Sequence, residues 1–149
     1  MLENLKEKIA IVNDLPSIIE VEKDLHISPW TLKNFRDALS AKNLFKIFTI
    51  DSKLVGYYVA LFATDECQLL NVSVHKNFQN KGVGNQLMTS LKKNCVQSNI
   101  SSIFLEVRAS NKKAMNLYQK NGFNEIGIRN NYYKTHAGWE DAILMGTQL

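Results

Sequence analysis

The sequence predicts an α/β fold on a mixed sheet, and three observations carry that expectation. Short runs rich in β-branched and aromatic residues recur along the chain, amphipathic helical stretches separate them, and together they read β-α-α-β-β-β-α-β-α-β-β. With 149 residues and 45% hydrophobic content, the chain is long enough for one core and too short for two ordinary domains. Residues 1–149 are therefore expected to form a single domain.

Lys8 to Val12 is a short apolar run that reads as a first strand, broken by Asn13, Asp14 and Pro16. Ser17 to Leu25 carries Ile18, Ile19, Val21 and Leu25 and reads as a helix. Ser28-Pro29-Trp30 opens a second helix, with Ser28 as cap and Pro29 at the first helical position. Leu44 to Ile50 and Leu54 to Ala63 are strands joined by a hairpin turn at Asp51-Ser52-Lys53. From Gln68 to Val74, residues Leu70, Val72 and Val74 share one face while Asn71 and Ser73 share the other, the period-2 signal of a strand. Gly82 to Ser98 places Val83, Leu87, Leu91 and Cys95 four residues apart on an amphipathic helix. In the strand from Ser102 to Val107, Ile103, Leu105 and Val107 lie opposite Phe104 and Glu106. Asn111 caps a last helix that Gly122 stops, and strands near Asn124 to Arg129 and Asp141 to Gly146 complete the order.

Composition narrows the function. The two prolines lie at or before Pro29, and no linker or low-complexity tract follows. The N-terminus lacks a secretory pattern, and the most apolar run, Val55 to Ala63, is too short to span a bilayer, so a cytoplasmic protein without membrane contact is expected. Cys67 and Cys95 have no CxxC spacing and read as free, partly buried thiols. The net charge of +4 fits either lysines that solvate the surface or a basic face for a polyphosphate ligand. Arginine is scarce, confined to Arg36, Arg108 and Arg129, which argues against direct nucleic-acid binding. His26, His75 and His136 lack metal-ligand spacing and read as surface residues, so no metal is expected.

The most informative segment is Gln79-Asn80-Lys81-Gly82-Val83-Gly84, between a strand end and a helix start. Backbone N–H groups and the positive end of a helix dipole favour an anion there, glycine lets the backbone approach it, and Lys81 adds charge. Taken alone, a turn with two glycines is weak evidence. In context, Gln79, Gly82 and Gly84 match the Q/R-x-x-G-x-G/A signature of the Gcn5-related N-acetyltransferases. The blocks from Leu105 to Asn111, Leu117-Tyr118, Gly122-Phe123-Asn124, Arg129 to Tyr133 and Glu140-Asp141-Ala142 resemble the RimI-type ribosomal-protein-alanine acetyltransferases, as does Pro29-Trp30.

That resemblance implies a mixed sheet of about seven strands with four helices, splayed between the fourth and fifth strands to admit a thioester. It implies acetyl-coenzyme A as cosubstrate, with Val72, Ser73 and Val74 pairing along the pantetheine arm. Asn80, Lys81, Gly82, Val83, Gly84 and Asn85 would hold the pyrophosphate, and Asn111 would contact the cofactor. The family commonly carries arginine where Asn80 and Asn85 stand, a change that keeps the backbone cradle but removes charge.

Acetyl transfer to an amine needs a neutral nucleophile, a stabilised oxyanion and a proton for the departing thiolate. The resemblance carries the base onto Glu106 and the acid onto Tyr118, with a backbone N–H near Val74 for the oxyanion. Read without it, Glu106 is equally a surface partner of Arg108 or a lysine, and Tyr118 a half-buried core aromatic. Acceptor recognition is expected around Trp30 and Phe35, with Tyr132, Tyr133, Glu140 and Asp141, a mixture of acids and aromatics that suits a basic peptide. The implied acceptor is the N-terminal alanine of ribosomal protein eighteen of the small subunit, acted on by a monomer or weak dimer. Two other readings stay open: a small-molecule amine acetyltransferase on the same fold, and a non-catalytic module that senses coenzyme A or docks on the ribosome.

Overall fold

The computed structural model describes residues 2–41 and 43–149. Among them the chain forms β1 (Leu5–Ile9), α1 (Leu15–Leu25), α2 (Leu32–Ser40), β2 (Leu44–Ile50), β3 (Lys53–Ala63), β4 (Glu66–Val74), α3 (Val83–Gln97), β5 (Ser102–Arg108), α4 (Lys112–Lys120), β6 (Asn124–Thr135) and β7 (Gly138–Gln148). This is the expected order. The strands make one seven-stranded sheet in the sequence β1-β2-β3-β4-β5-β7-β6. It is mixed: β4 and β5 run parallel, while β1 with β2, β2 with β3, β5 with β7 and β6 with β7 are antiparallel.

Several boundaries differ from the sequence expectation, and in three of them the reason is visible in the structure. β1 begins and ends earlier, because Leu5 to Ile9 pair with Ile50 to Lys46. After it the Ile11 N–H donates to the Asp14 carboxylate at 2.8 Å, bending the chain into a short 3-10 turn. α2 is capped by Thr31 rather than Ser28. The Thr31 hydroxyl accepts from the Asn34 N–H at 3.2 Å, and the Asn34 side chain accepts from the Thr31 N–H at 2.9 Å, a reciprocal box that satisfies two helix-end donors. β6 runs six residues past Arg129 because a bulge between Arg129 and Tyr133 absorbs Asn130 and Asn131 without ending the pairing. The hairpin at Asp51-Ser52 is as expected: both residues have positive φ, 49° and 67°, as a two-residue turn between twisted strands demands.

The chain divides into two compact units, one of Met1–Leu61 and Leu70–Ser90, the other of Phe62–Leu69 and Leu91–Leu149. In the first, Leu15, Ile18, Val21, Phe35, Phe45, Ile47, Tyr57 and Val59 form one buried cluster, against which Trp30, Leu54 and Leu70 pack. Side chains of this size contribute roughly 1.5–3 kcal/mol each when fully buried. In the second, Ile103, Leu105 and Val107 of β5 are buried together with Met115, Tyr118, Phe123 and Met145. Cys67 and Cys95 are free and fully buried there. The neighbouring Cys95 thiol, followed by burial, pushes the Cys67 thiol up from its ordinary range. Among the described residues no helix is long and apolar enough to cross a membrane.

Candidate functional site

In the first unit, β4 ends at Val74 and the chain turns through a short 3-10 segment into α3. Two contacts fix that exit. The His75 N–H donates to the Val55 carbonyl at 2.8 Å, and the Gln79 side-chain amide donates to the Val74 carbonyl at 3.0 Å. Lys81 stands with its ammonium 5.7 Å from the centre of the Phe78 ring, and its charge stays exposed. The Gln86 N–H makes the first helical bond, to Gly82 at 3.2 Å, so the amides of Val83 and Gly84 precede the hydrogen-bonded ladder. Gly82 has φ +91°, a conformation that a side chain would strain, which is why glycine is needed where the turn brings these amides forward. The Val83 side chain points into the core and is 1% exposed; only its backbone is offered. Donor chemistry here, two leading amides with a lysine beside them, fits a diphosphate.

Along β4 the two faces invert the simplest expectation. Asn71 and Ser73 are the buried residues, 9% and 4% exposed, whereas Val72 and Val74 are only half-buried. Partners inside the unit explain it. Glu22 on α1 is 2% exposed, and its carboxylate accepts from the Tyr57 hydroxyl at 2.6 Å and from the Asn71 amide at 3.0 Å. Burial, followed by the charge and hydrogen bond of Glu22, drives the Tyr57 phenol far above its ordinary range, so it stays a donor. His26 is likewise no ordinary surface histidine, since its Nε2 lies 2.7 Å from the Ser73 hydroxyl. A signal for the burial of Glu22 alone was present in the sequence. Glu22 stands four residues after Ile18, within the apolar stripe of α1.

Trp30 and Phe35, both expected at the acceptor, part company. Phe35 is fully buried, with its ring 5.9 Å from Phe45 and 6.0 Å from Tyr57, so it offers no surface and serves as the floor under Trp30. Trp30 lies on it at 5.1 Å and keeps part of its indole accessible.

In the second unit, alternation along β5 puts Glu106 on the face opposite Ile103, Leu105 and Val107, as the pattern predicted. Its carboxylate lies 3.5 Å from Arg129. Arg108 pairs with Glu140 at 2.9 Å, donates to the Lys134 carbonyl at 3.2 Å and stacks 4.5 Å from the centre of the Tyr133 ring. The other Glu140 oxygen accepts from the Ser110 N–H at 3.1 Å. The Arg108 hydrogen bond first, then that from Ser110, holds the Glu140 carboxyl below its usual range. Asp141 accepts from the Asn131 N–H at 2.9 Å. Both acids expected to meet a basic peptide are thus engaged within the fold, Glu140 tying the β6–β7 hairpin to the end of β5 and Asp141 bracing the bulge inside the hairpin. Tyr132 and Tyr133 meet edge to face at 5.0 Å, and Arg129 covers Tyr132 at 5.5 Å. Together these form a run, Arg108 to Tyr133 to Tyr132 to Arg129, that ends at Glu106.

Asn111 caps α4 as expected, its side-chain oxygen accepting from the Ala114 N–H at 3.2 Å. Gly122, at φ +90°, follows the helix end. Tyr118 on α4 is 6% exposed, with its ring 5.8 Å from Phe123. Burial, with Tyr133 adding to it, raises its phenol well above the ordinary range, so Tyr118 keeps its proton at neutral pH and can supply one. Within this unit β4 and β5 pair at Glu66 with Ser102, Cys67 with Ile103 and Gln68 with Phe104. Among the described residues no group of His, Cys, Asp and Glu has the arrangement of a metal site.

Comparison with known proteins adds three findings. Residues 13–123 match the model of the acetyltransferase (GNAT) family. The chain is 36% identical over 141 residues, 95% of each sequence, to a protein of Salmonella typhimurium named [ribosomal protein bS18]-alanine N-acetyltransferase. The crystal structure of the ribosomal-protein-S18-alanine N-acetyltransferase from Escherichia coli superposes with a TM-score of 0.91 at 33% identity, covering 97% of this chain and 93% of that one.

Proposed function

The chain belongs to the acetyltransferase (GNAT) family and is an acetyl-coenzyme A-dependent N-acetyltransferase, and from this premise we propose that its acceptor is the N-terminal alanine of ribosomal protein bS18. The observation that carries the proposal is similarity at 36% identity over 95% of both chains to a protein of that printed activity. The family match includes segments of both compact units, which supports reading residues 1–149 as one N-acetyltransferase domain. A ribosomal acceptor also carries a cytoplasmic location with it.

On this reading the turn from Gln79 to Asn85 takes the pyrophosphate. The leading amides of α3, Gly82 and Lys81 support that assignment, while Asn80 and Asn85 bring no charge of their own. The backbone of Val72 to Val74 takes the pantetheine arm, and a backbone N–H near Val74 polarises the thioester carbonyl. Asn111 contacts the cosubstrate beside its capping role.

Glu106 accepts the proton of the incoming amine through a water molecule. The neutral amine nitrogen then attacks the acetyl carbon, the carbon–sulfur bond breaks, and Tyr118 gives its phenolic proton to the departing thiolate. The proton still on the acylated nitrogen passes through water to the phenolate, and Glu106 returns its own to solvent. The raised position of the Tyr118 phenol keeps its proton available across the working range. Deprotonating an α-amine of pKa about 7.7–8.0 costs roughly 1 kcal/mol at pH 7, against about 4.6 kcal/mol for a lysine near 10.4. A half-buried glutamate acting through water is therefore suited to an N-terminus rather than to a side chain. Trp30, Tyr132 and Tyr133 are the exposed or half-exposed rings for the acceptor peptide. Glu140 and Asp141 act on it through the hairpin they hold.

A panel of peptides tests the acceptor. Incubated with acetyl-coenzyme A, the bS18 N-terminal peptide should gain one acetyl group on its α-amine, located by tandem mass spectrometry. Spermidine, an aminoglycoside and an internal lysine peptide should react at least a hundredfold more slowly. Faster turnover of the polyamine or the aminoglycoside would overturn the proposal in favour of a small-molecule acceptor.

A further inference from the structure

Glu22 is a carboxylate taken out of water in a unit whose other buried residues are mostly apolar. Three donors meet it: the Tyr57 hydroxyl at 2.6 Å and the Asn71 amide at 3.0 Å on one oxygen, and the Trp30 N–H at 3.0 Å on the other. The chain of bonds continues along β4. The Ser73 hydroxyl donates to the Asn71 side-chain oxygen at 3.2 Å, and its own oxygen lies 2.7 Å from His26 Nε2. With the Ser73 hydroxyl proton directed at Asn71, the His26 tautomer that completes the chain carries its hydrogen on Nε2. The same nitrogen lies 3.5 Å from Glu22, which closes the circuit. Burying a carboxylate costs several kcal/mol that an apolar residue of the same volume would not, so stability alone is a poor reason for this arrangement.

Its position gives a better one. Asn71 and Ser73 alternate along β4 with Val72 and Val74, and fixing the first pair from the buried side fixes the peptide planes of the second. Trp30, four residues past His26, is held by its backbone to the same carboxylate. We propose that Glu22 and His26 are positioning residues for acetyl transfer, acting through Ser73 and Asn71 on the donor strand Val72 to Val74 and through the Trp30 backbone on the acceptor segment. The inference rests on the roles given above to those two segments. Neither residue touches the reacting atoms. They hold strand and segment in one register, and misplacement of about 1 Å in such a frame can cost a hundredfold in rate.

The test uses the full chain and four variants. His26→Leu removes the donor, His26→Gln keeps an N–H near the same place, Ser73→Ala removes the hydroxyl, and the fourth combines His26→Leu with Ser73→Ala. With acetyl-coenzyme A and the bS18 peptide, His26→Leu should lower kcat about tenfold, the size of one lost buried hydrogen bond. The peptide KM should change much less, His26→Gln should recover most of the rate, and the double variant should be no worse than the poorer single one. Unchanged kcat in His26→Leu, losses that multiply in the double variant, or a loss shared by His26→Gln would each overturn the proposal. A wild-type protein that leaves the peptide unmodified would instead fault the acceptor assignment. In that event hydrogen exchange and calorimetry with coenzyme A decide this inference separately. His26→Leu should speed exchange at Val72 to Val74 and weaken coenzyme A, and equal exchange in the two proteins would refute it.

Discussion

Replacing Tyr118 by phenylalanine removes one oxygen and leaves the packing intact, since the ring rests against Phe123 at 5.8 Å. Its rate effect follows from proton affinities. A thiol such as that of coenzyme A ionises near 8.5, and an ordinary phenol near 10; burial then lifts Tyr118 further. Full proton transfer from phenol to thiolate is thus uphill by at least about 2 kcal/mol. On the proposed mechanism, Tyr118 supplies in the transition state a strong hydrogen bond to sulfur that becomes a proton transfer only as the bond breaks. General acids contribute about 10²–10⁴-fold, and a leaving group this stable calls for the lower end. Tyr118→Phe should therefore lower kcat by about a hundredfold, with acetyl-coenzyme A affinity and melting temperature nearly unchanged. Steady-state release of free thiol, followed by a chromogenic disulfide from pH 6 to 10, measures it. The raised phenol also predicts no alkaline loss assignable to Tyr118 below pH of about 10. A variant within threefold of wild type, or a wild-type alkaline limb near pH 8.5 that the substitution abolishes, would refute this reasoning.

Three further substitutions probe the frame. A methyl at Gly56 would stand 3.0 Å from the Ser73 carbonyl and 3.4 Å from the Leu87 methyls, so Gly56→Ala should cost about 1–3 kcal/mol of stability and weaken coenzyme A as measured by calorimetry. Asn111→Ala removes the cap of α4 and should cost about 1 kcal/mol in urea unfolding, most of it recovered by Asn111→Asp. Glu140→Gln bears on acid stability. A carboxyl held low in the folded state stabilises at pH above its unfolded value of 4.5 and loses that contribution as pH falls through the lower folded value. Wild type should therefore melt above Glu140→Gln at pH 7, the difference closing below pH of about 4; a constant gap would contradict the pairing with Arg108.

How far the fold was legible depended on whether a pattern recorded a local or a distant partner. Alternation in β5 and the four-residue spacing of Val83, Leu87, Leu91 and Cys95 gave the right buried faces, because each depends only on one apolar layer. In β4 the alternation was right, but it did not say that Leu70, Val72 and Val74 would be the half-exposed face. Asn71 and Ser73 face inward to meet Glu22 and His26, residues some fifty positions earlier whose proximity no local pattern reveals. The start of α2 was misread for a similar reason. Ser28 and Pro29 have the right chemistry for a helix start, yet Glu22 holds the Trp30 N–H and delays the helix to the Thr31 box.

At the candidate site, the places of the residues along their elements were legible and their engagements were not. Glu106 on the open face of β5 and Asn111 as a cap followed from spacing. That Glu106 meets Arg129, that Glu140 is committed to Arg108, and that Phe35 lies beneath Trp30 all depend on register in the β6–β7 hairpin or on packing of α2. Polar and aromatic residues advertise recognition in a sequence even where the fold employs them to hold one another.

Intact bS18 offers the most direct trial, presented side by side with the same protein blocked in advance at its N-terminal amine. With acetyl-coenzyme A in excess, free bS18 should take up a single acetyl group on Ala at its first position while the blocked protein takes up none. Equal labelling of both, or none in either, would contradict α-amine transfer as the activity of this chain.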